Sequence, residues 1–210
     1  MQAQTAATAD TRADVSHYKL MLAKLATDRQ RLKTIQSITR KVEVKRELLP
    51  DYEAYVTGAL ESAPGVQDEV LITVMVWRID AGDYVGALTI AEYALKKGLT
   101  LPDPYERTLA TFVTEQIAEA ALSEGESFDL TLLTQLAALT ERHDMPDPVR
   151  AKLHKALGMV LQASDPDHAL AHYRHALTLA PRCGVKKEIE RLERQLTVFP
   201  QPSDAEKTRL

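Results

Sequence analysis

The stretch QDEVLITVMVWRIDAGDYVGALTIAEYALKKGL, from Gln67 to Leu99, carries the clearest structural pattern in the chain. Its first half is apolar on nearly every side between Val70 and Ile79, which predicts a helix buried in a core or at a subunit interface. The run of β-branched residues is also compatible with a strand, but the flanking sequence favours a helix. The second half ends with two lysines followed by Gly98, a typical helix stop. The stretch therefore predicts a pair of consecutive helices.

The second helix of this pair has an echo 82 residues further along the chain. DYVGALTIAEYAL, beginning at Asp83, aligns without gaps on DPDHALAHYRHAL, beginning at Asp165, and both carry two Ala-Leu pairs at the same positions. Small alanines allow helix backbones to approach closely, while leucines fill the grooves. The pattern resembles tetratricopeptide hairpins, but those repeat about every 34 residues. We therefore predict two related helical hairpins rather than a regular solenoid.

Asp-Pro pairs predict three further helix starts, because a carboxylate suits the N-cap and proline suits the first turn. These pairs are Asp103-Pro104, Asp147-Pro148 and Asp165-Pro166. No segment shows the period-two alternation of a strand. We predict an all-α fold, with a long basic helical segment followed by a body of packed, tetratricopeptide-like helical hairpins. The predicted boundaries are a disordered N-terminus at 1–14, a basic DNA-binding and oligomerisation segment at 15–50, the hairpin body at 51–196 and a flexible tail at 197–210.

Charge is distributed unevenly along the chain. The 210 residues have a formal net charge of −4, yet the segment from Lys19 to Arg46 holds nine basic and two acidic residues, a net +7. An acidic protein with one such segment indicates a polyanion-binding region, and a solvated helix face is the alternative. The single cysteine, Cys183, excludes an intrachain disulfide and fits a reducing compartment. No apolar run reaches the roughly 18 residues of a membrane helix, so we expect no membrane partner.

The basic segment contains no glycine or proline between Val15 and Leu49, so it predicts one long helix or two helices with a bend. Six of its eight heptad seam positions are apolar, and Asp28 and Thr39 interrupt the seam. This stripe must pack on the body or on a sister subunit. The predicted oligomer interface comprises Tyr18, Met21, Leu25, Leu32, Ile35, Val42, Val70, Val74 and Trp77. The predicted DNA-binding residues are Lys24, Arg29, Arg31, Lys33, Arg40, Lys41, Lys45 and Arg46.

The sequence contains no recognisable catalytic motif. It lacks the GxxxxGK[ST] phosphate loop and the G-x-S-x-G nucleophile elbow. Cys183 follows His175 without an evident orienting partner, which favours an inert thiol. His168, His172 and His175 share one predicted helix face and offer at most two metal ligands, with no third in suitable spacing. We therefore predict no catalytic residues, metal site or cofactor, and leave open whether the chain is an enzyme.

Several stretches together resemble the GpM-like small terminase subunits of temperate phages that package DNA from cohesive ends. In order they are MLAKLATDRQRLKTIQS, KRELLPDYEAYVTGALE, the Gln67 stretch extended to Pro102, DMPDPVRAKLHKALG and GVKKEIERLERQL. The resemblance covers about Tyr18 to Leu196. Some relatives carry a long basic C-terminal tail, whereas this chain ends in the short TVFPQPSDAEKTRL. That difference directs attention to the N-terminal basic segment.

The resemblance implies a subunit that binds double-stranded viral DNA at the packaging (cos) site in the host cytoplasm. It would present the DNA to a large subunit that carries the ATPase and nuclease, and it would form a homo-oligomer such as a ring. The family label "endonuclease subunit" then belongs to the complex. Two alternatives remain: a helical-hairpin adaptor that never touches DNA, and a metal-dependent endonuclease subunit.

Overall fold

The computed structural model describes the backbone of residues 2–62, 66–102 and 107–198, and side chains from His17 to Glu61, Val66 to Pro102 and Arg107 to Thr197. Every regular element in these ranges is helical, which confirms the all-α prediction. The chain forms two compact units, Met1–Leu109 and Ala110–Leu210. The sequence instead predicts a separate basic segment and a single body at 51–196. The difference arises because the basic segment packs into the first unit as part of its core.

The first unit contains α1 (Gln2–Lys33), α2 (Ile38–Leu48), a 3-10 turn (Leu49–Tyr52), α3 (Glu53–Ser62), α4 (Glu69–Ala81) and α5 (Tyr84–Lys97). Its centre is α4, which packs against α1, α2, α5 and the 3-10 turn. Ten of the 13 residues of α4 are buried, so its apolar character on all sides reflects a core helix. The preference for helix over strand in this stretch is confirmed.

The basic segment forms two helices rather than one. The first ends at Lys33, and Ser37 caps the second by accepting a hydrogen bond from the backbone N–H of Arg40 at 3.2 Å. α1 begins at Gln2, so the structure runs helix through a stretch for which the sequence predicts disorder. The many alanines there favour a helix. The tail beyond residue 198 lies outside the described residues.

The second unit contains α6 (Leu109–Glu124, beginning at the boundary), α7 (Leu130–Thr140), α8 (Asp147–Leu161), α9 (Pro166–Leu179) and α10 (Lys186–Val198). α8 packs against α7 and α9, and α9 packs against α10. The closest approach is at Gly158, where an added Cβ would lie 2.8 Å from the ring of buried Tyr173. Only glycine permits this spacing between α8 and α9. No helix in the described ranges is long and apolar enough to cross a membrane.

The two predicted hairpins are α4–α5 and α8–α9, and their second helices match in detail. Asp83 caps α5 and Asp165 caps α9, each accepting from a backbone N–H three residues on, at 2.9 and 3.1 Å. The paired alanines 87/169 and 94/176 are all fully buried. The sequence echo therefore encodes the same packing twice, once in each unit.

Helix boundaries bear out the stop signal and one of the Asp-Pro starts. Gly98 adopts φ 69°, a left-handed conformation that ends α5 as predicted. Asp147 does not cap α8: the cap position is Pro146, whose carbonyl accepts from the N–H of Val149 at 2.9 Å. The prediction of an Asp147 cap is therefore wrong, because the intrahelical bonds begin one residue earlier. The Asp103-Pro104 pair lies outside the described residues.

Candidate nucleic-acid interface

The apolar stripe of the basic segment packs in the core of the first unit. Met21, Leu25 and Leu32 are buried on α1, and Val70, Val74 and Trp77 are buried on α4. These six side chains are buried within their own chain and are not available to a sister subunit. We therefore assign them to the core of the first unit instead of to an oligomer interface. The other three predicted interface residues, Tyr18, Ile35 and Val42, are half-buried, and an interface there remains a prediction.

The interruption of the stripe at Asp28 is a buried polar network. The Asp28 carboxylate accepts a hydrogen bond from the hydroxyl of Tyr52 at 2.6 Å and from Lys24 Nζ at 2.9 Å. Lys24 Nζ also lies 4.8 Å from the centroid of the Tyr52 ring and 2.9 Å from Asp51. Burial, together with the Asp28 carboxylate, raises the pKa of Tyr52 well above its usual range. A carboxylate at a seam position is therefore a satisfied part of the core.

Three of the predicted DNA-binding residues contact partners on α4. The guanidinium of Arg29 pairs with Glu69 and donates to the hydroxyl of Thr73 at 2.7 Å. Lys45 pairs with Asp80 at 2.5 Å, and only 16% of its side chain is exposed. Arg46 Nε donates to the carbonyl of Ala81 at 2.9 Å. Together with Lys24, which pairs with Asp51 in the 3-10 turn, these cations hold α1 and α2 against the rest of the first unit.

Two arginines form exposed ion pairs within the segment. Arg31 pairs with Glu47 at 3.0 Å, and Arg40 pairs with Glu43 at 2.8 Å and with Glu47 at 3.5 Å. About half of each of these side chains is exposed to solvent. Exposed pairs of this kind contribute about 0–1 kcal/mol, so a stronger anion can displace their carboxylates at little cost.

The remaining two predicted contacts are Lys33 and Lys41, whose side chains have no ion-pair or hydrogen-bond partner among the described residues. They flank the turn at 34–37 that joins α1 to α2. Four carboxylates from outside Lys19–Arg46 pair with cations within it and lower its local net charge from +7 to +3. Two of the cations that no carboxylate neutralises, Lys33 and Lys41, thus lie on either side of this turn.

Comparison with known proteins gives the chain a family. The family model described as "Phage small terminase subunit" matches residues 22–148. The "Terminase, endonuclease subunit" of Escherichia phage P2 is 50% identical over 196 residues, covering 91% of this chain and 79% of that protein. The chain belongs to the phage small terminase subunit family. This membership gives the subunit a role in phage DNA packaging and confirms the resemblance found in the sequence.

A second, more distant relative of this small terminase subunit also comes from a phage. The "Probable terminase, endonuclease subunit" of Haemophilus phage HP1 (strain HP1c1) is 25% identical, over 92% of this chain and 75% of that protein. No solved structure matches the subunit. Both relatives extend along nearly the whole chain, so the likeness includes both compact units.

The three histidines that the sequence predicts on one helix face contact different partners in the structure. His168 turns back to its own helix start, with Nδ1 2.6 Å from the Asp165 carboxylate. His172 instead meets His154 of α8, Nδ1 to Nδ1 at 2.9 Å, and the His175 ring lies edge-on to His154 with centroids 4.3 Å apart. Sequence spacing missed His154 because it lies on a neighbouring helix. In the described ranges, no group of three or more metal-ligating side chains is arranged to hold a metal ion.

This histidine cluster makes the second unit sensitive to acid. Burial lowers the pKa of His154 to about 4, and repulsion from His175, His172 and Arg150 adds to the effect. Burial also lowers the pKa of His172. Between pH 6.5 and 4 the unfolded chain binds more protons than the folded chain, so stability is lost as the pH falls.

We expect His154 to account for a loss of about 1–2 kcal/mol between pH 6.5 and 4.5, reduced from the full linkage value by partial exposure. Thermal unfolding followed by circular dichroism across this range measures it. His154→Gln should flatten the dependence, because glutamine does not titrate. An equal slope in the variant would assign the acid sensitivity to other groups.

Proposed function

We propose that this small terminase subunit binds double-stranded viral DNA at the packaging (cos) site and presents it to the large ATPase and nuclease subunit. The observation that carries the proposal is a turn with two unpaired lysines, 33 and 41, in a chain of the small terminase family. Lysine ammonium groups contact phosphates without reading bases. The proposal places the subunit in the host cytoplasm, where packaging would take place.

Four cations around the α1–α2 turn are suited to phosphate contact. Lys33 and Lys41 need give up no partner seen in the structure, while Arg31 and Arg40 exchange exposed carboxylates for phosphates. Arginine forms charge-assisted bonds with phosphate oxygens that are frequently bidentate. The other four predicted residues are committed to the body, so we assign them to positioning the turn.

A homo-oligomer, such as a ring, would strengthen this weak site by presenting several copies to one duplex. Each additional turn would bind at a high effective concentration once the first has bound. Of the predicted interface residues, Tyr18, Ile35 and Val42 are half-buried and remain for such an interface.

The test is the double variant Lys33→Glu with Lys41→Glu, titrated with a cos-containing duplex at several salt concentrations. Each lost phosphate contact removes about 0.9 from the slope of log K against log salt, so we expect a slope smaller by about 2. Affinity should fall roughly 10- to 100-fold near 0.1 M salt. Fluorescence anisotropy of a labelled duplex measures both quantities.

Lys96→Glu with Arg142→Glu is the matched control, because both residues are exposed, lie outside the basic segment and are changed by the same total charge. An equal loss in the control would mean a non-specific charge effect and would contradict the proposal. A chain that binds a large subunit but no duplex at any salt concentration would favour the adaptor alternative. Mg²⁺-dependent nicking by the isolated chain, removed by substitution of one acid, would favour the nuclease alternative.

A further inference from the structure

A second group of cations surrounds the turn between α9 and α10. We call it the cationic turn, and it consists of Lys155, Arg182, Lys186 and Lys187. Arg182 lies in the turn, the two lysines open α10, and Lys155 reaches the turn from α8. All four belong to the second unit, so they are independent of the basic segment of the first.

The core holds the backbone of this turn in place. Val185 is fully buried and packs with Ile189, Leu192 and Tyr173 in one apolar cluster. The N–H of Cys183 bonds the carbonyl of Ala180 at 2.9 Å, and Lys155 Nζ donates to the carbonyl of Cys183 at 2.9 Å. With Val185 anchored inward, Arg182 and both lysines of α10 are left exposed on the outside. The core and these hydrogen bonds therefore hold the backbone of the turn, while the charged side chains of Arg182, Lys186 and Lys187 face solvent.

Acidic side chains do not neutralise the cationic turn through ion pairs among the described residues. In the part of the chain that the structure describes, no carboxylate pairs with Arg182, Lys186 or Lys187. The nearest acid in sequence, Glu188, pairs instead with Arg191 at 2.8 Å. Glu190 lies four residues after Lys186 on α10, and among the described residues its carboxylate forms no ion pair with these cations.

The two lysines are also placed against helix electrostatics. The first turn of a helix carries a partial positive charge and is stabilised by acids rather than by bases. Lysines at the first two positions of α10 therefore destabilise the helix slightly, and a helix-stability role does not explain them. A bound anion would turn the same arrangement into a favourable one.

We infer that the cationic turn binds phosphate groups of a nucleic-acid backbone, as a second contact separate from the α1–α2 turn. The inference rests on the proposed function, since DNA is the polyanion on which that function acts. Flexible lysine ends on an exposed turn suit a row of backbone phosphates, because point charges tolerate variation in phosphate position. The contact would add affinity without sequence preference.

The experiment compares Lys186→Glu with Lys187→Glu against the control pair Lys96→Glu with Arg142→Glu in the full chain. Acids suit the start of α10, so the melting temperature of the test variant should be unchanged or raised. We expect its affinity for duplex DNA near 0.1 M salt to fall roughly 10- to 100-fold, with a salt slope smaller by about 2. The loss should be equal for cos-containing and unrelated duplexes.

Each other outcome overturns the inference. A test variant that binds DNA as well as the control does would remove the cationic turn while leaving the proposed function in place. Retained DNA affinity with lost binding of the large subunit would make the turn a protein contact. An unmodified chain that binds no duplex at any salt concentration would overturn the inference and the proposed function together.

Discussion

Leu25→Ala is expected to lower the free energy of unfolding of the first unit by about 2–5 kcal/mol, the usual cost of a leucine-to-alanine change in a core. Leu25 is 1% exposed on α1, the helix that packs on α4. Chemical denaturation followed by tryptophan fluorescence measures the effect on this unit alone, because the single tryptophan of the chain, Trp77, lies in α4.

Leu20→Ala is the matched control, since Leu20 lies on the same helix but is 66% exposed. A surface change of this kind should stay within about 0.5 kcal/mol. The concentration dependence separates two explanations of the stripe. If Leu25 lies in a core, Leu25→Ala lowers the midpoint by a similar amount at every chain concentration, whereas at a subunit interface it would abolish the rise of the midpoint with concentration. A midpoint that rises with concentration in the unmodified chain but not in Leu25→Ala would contradict the burial of Leu25 within its own chain.

Asp28→Ala is expected to destabilise the same unit by about 2–4 kcal/mol. The change leaves the fully buried hydroxyl of Tyr52 without an acceptor and removes one of the two carboxylates paired with Lys24. A buried donor without a partner costs about 1–3 kcal/mol, and the loss of a partly buried ion pair adds to it. Trp77 fluorescence is a suitable probe, because its ring lies edge-on to Tyr52 with centroids 5.9 Å apart.

Two further variants test the assignment of this cost. Asp51→Ala removes the exposed carboxylate that pairs with the same Lys24, so it should cost no more than about 1 kcal/mol. Tyr52→Phe removes the hydroxyl itself, and combining it with Asp28→Ala should recover about 1–3 kcal/mol of coupling. Additive effects in the double variant would mean that the Asp28 to Tyr52 hydrogen bond contributes nothing to stability.

Local patterns in the sequence predict much of this fold. The stop at Gly98 and the cap at Asp165 follow from backbone chemistry within a few residues. The buried α4 follows from its composition, since a helix without a polar face cannot remain in water. The Ala-Leu echo predicts matched hairpins because close packing of helices requires small residues at fixed positions.

The candidate interface is harder to predict, because pairing between charges depends on distant parts of the chain. The sequence shows nine basic residues in one segment, but not that Glu69 and Asp80 of α4 meet Arg29 and Lys45. The histidine cluster escapes prediction for the same reason, as His154 is 18 residues from its partner His172. The sequence shows the cations at the α9–α10 turn, but it does not show that the neighbouring Glu188 pairs with Arg191 instead of with them.

The amino-acid sequence by itself determined that this chain is helical, where α5 ends and α9 begins, that two hairpins share one packing pattern, and which family it belongs to. Those properties depend on near neighbours and on composition, both of which are written along the chain. The tertiary structure alone decided that the apolar stripe of the basic segment is a core, and which positive charges remain available to a ligand. Burial and ion pairing are set by residues tens of positions away, so they exist only once the helices have packed.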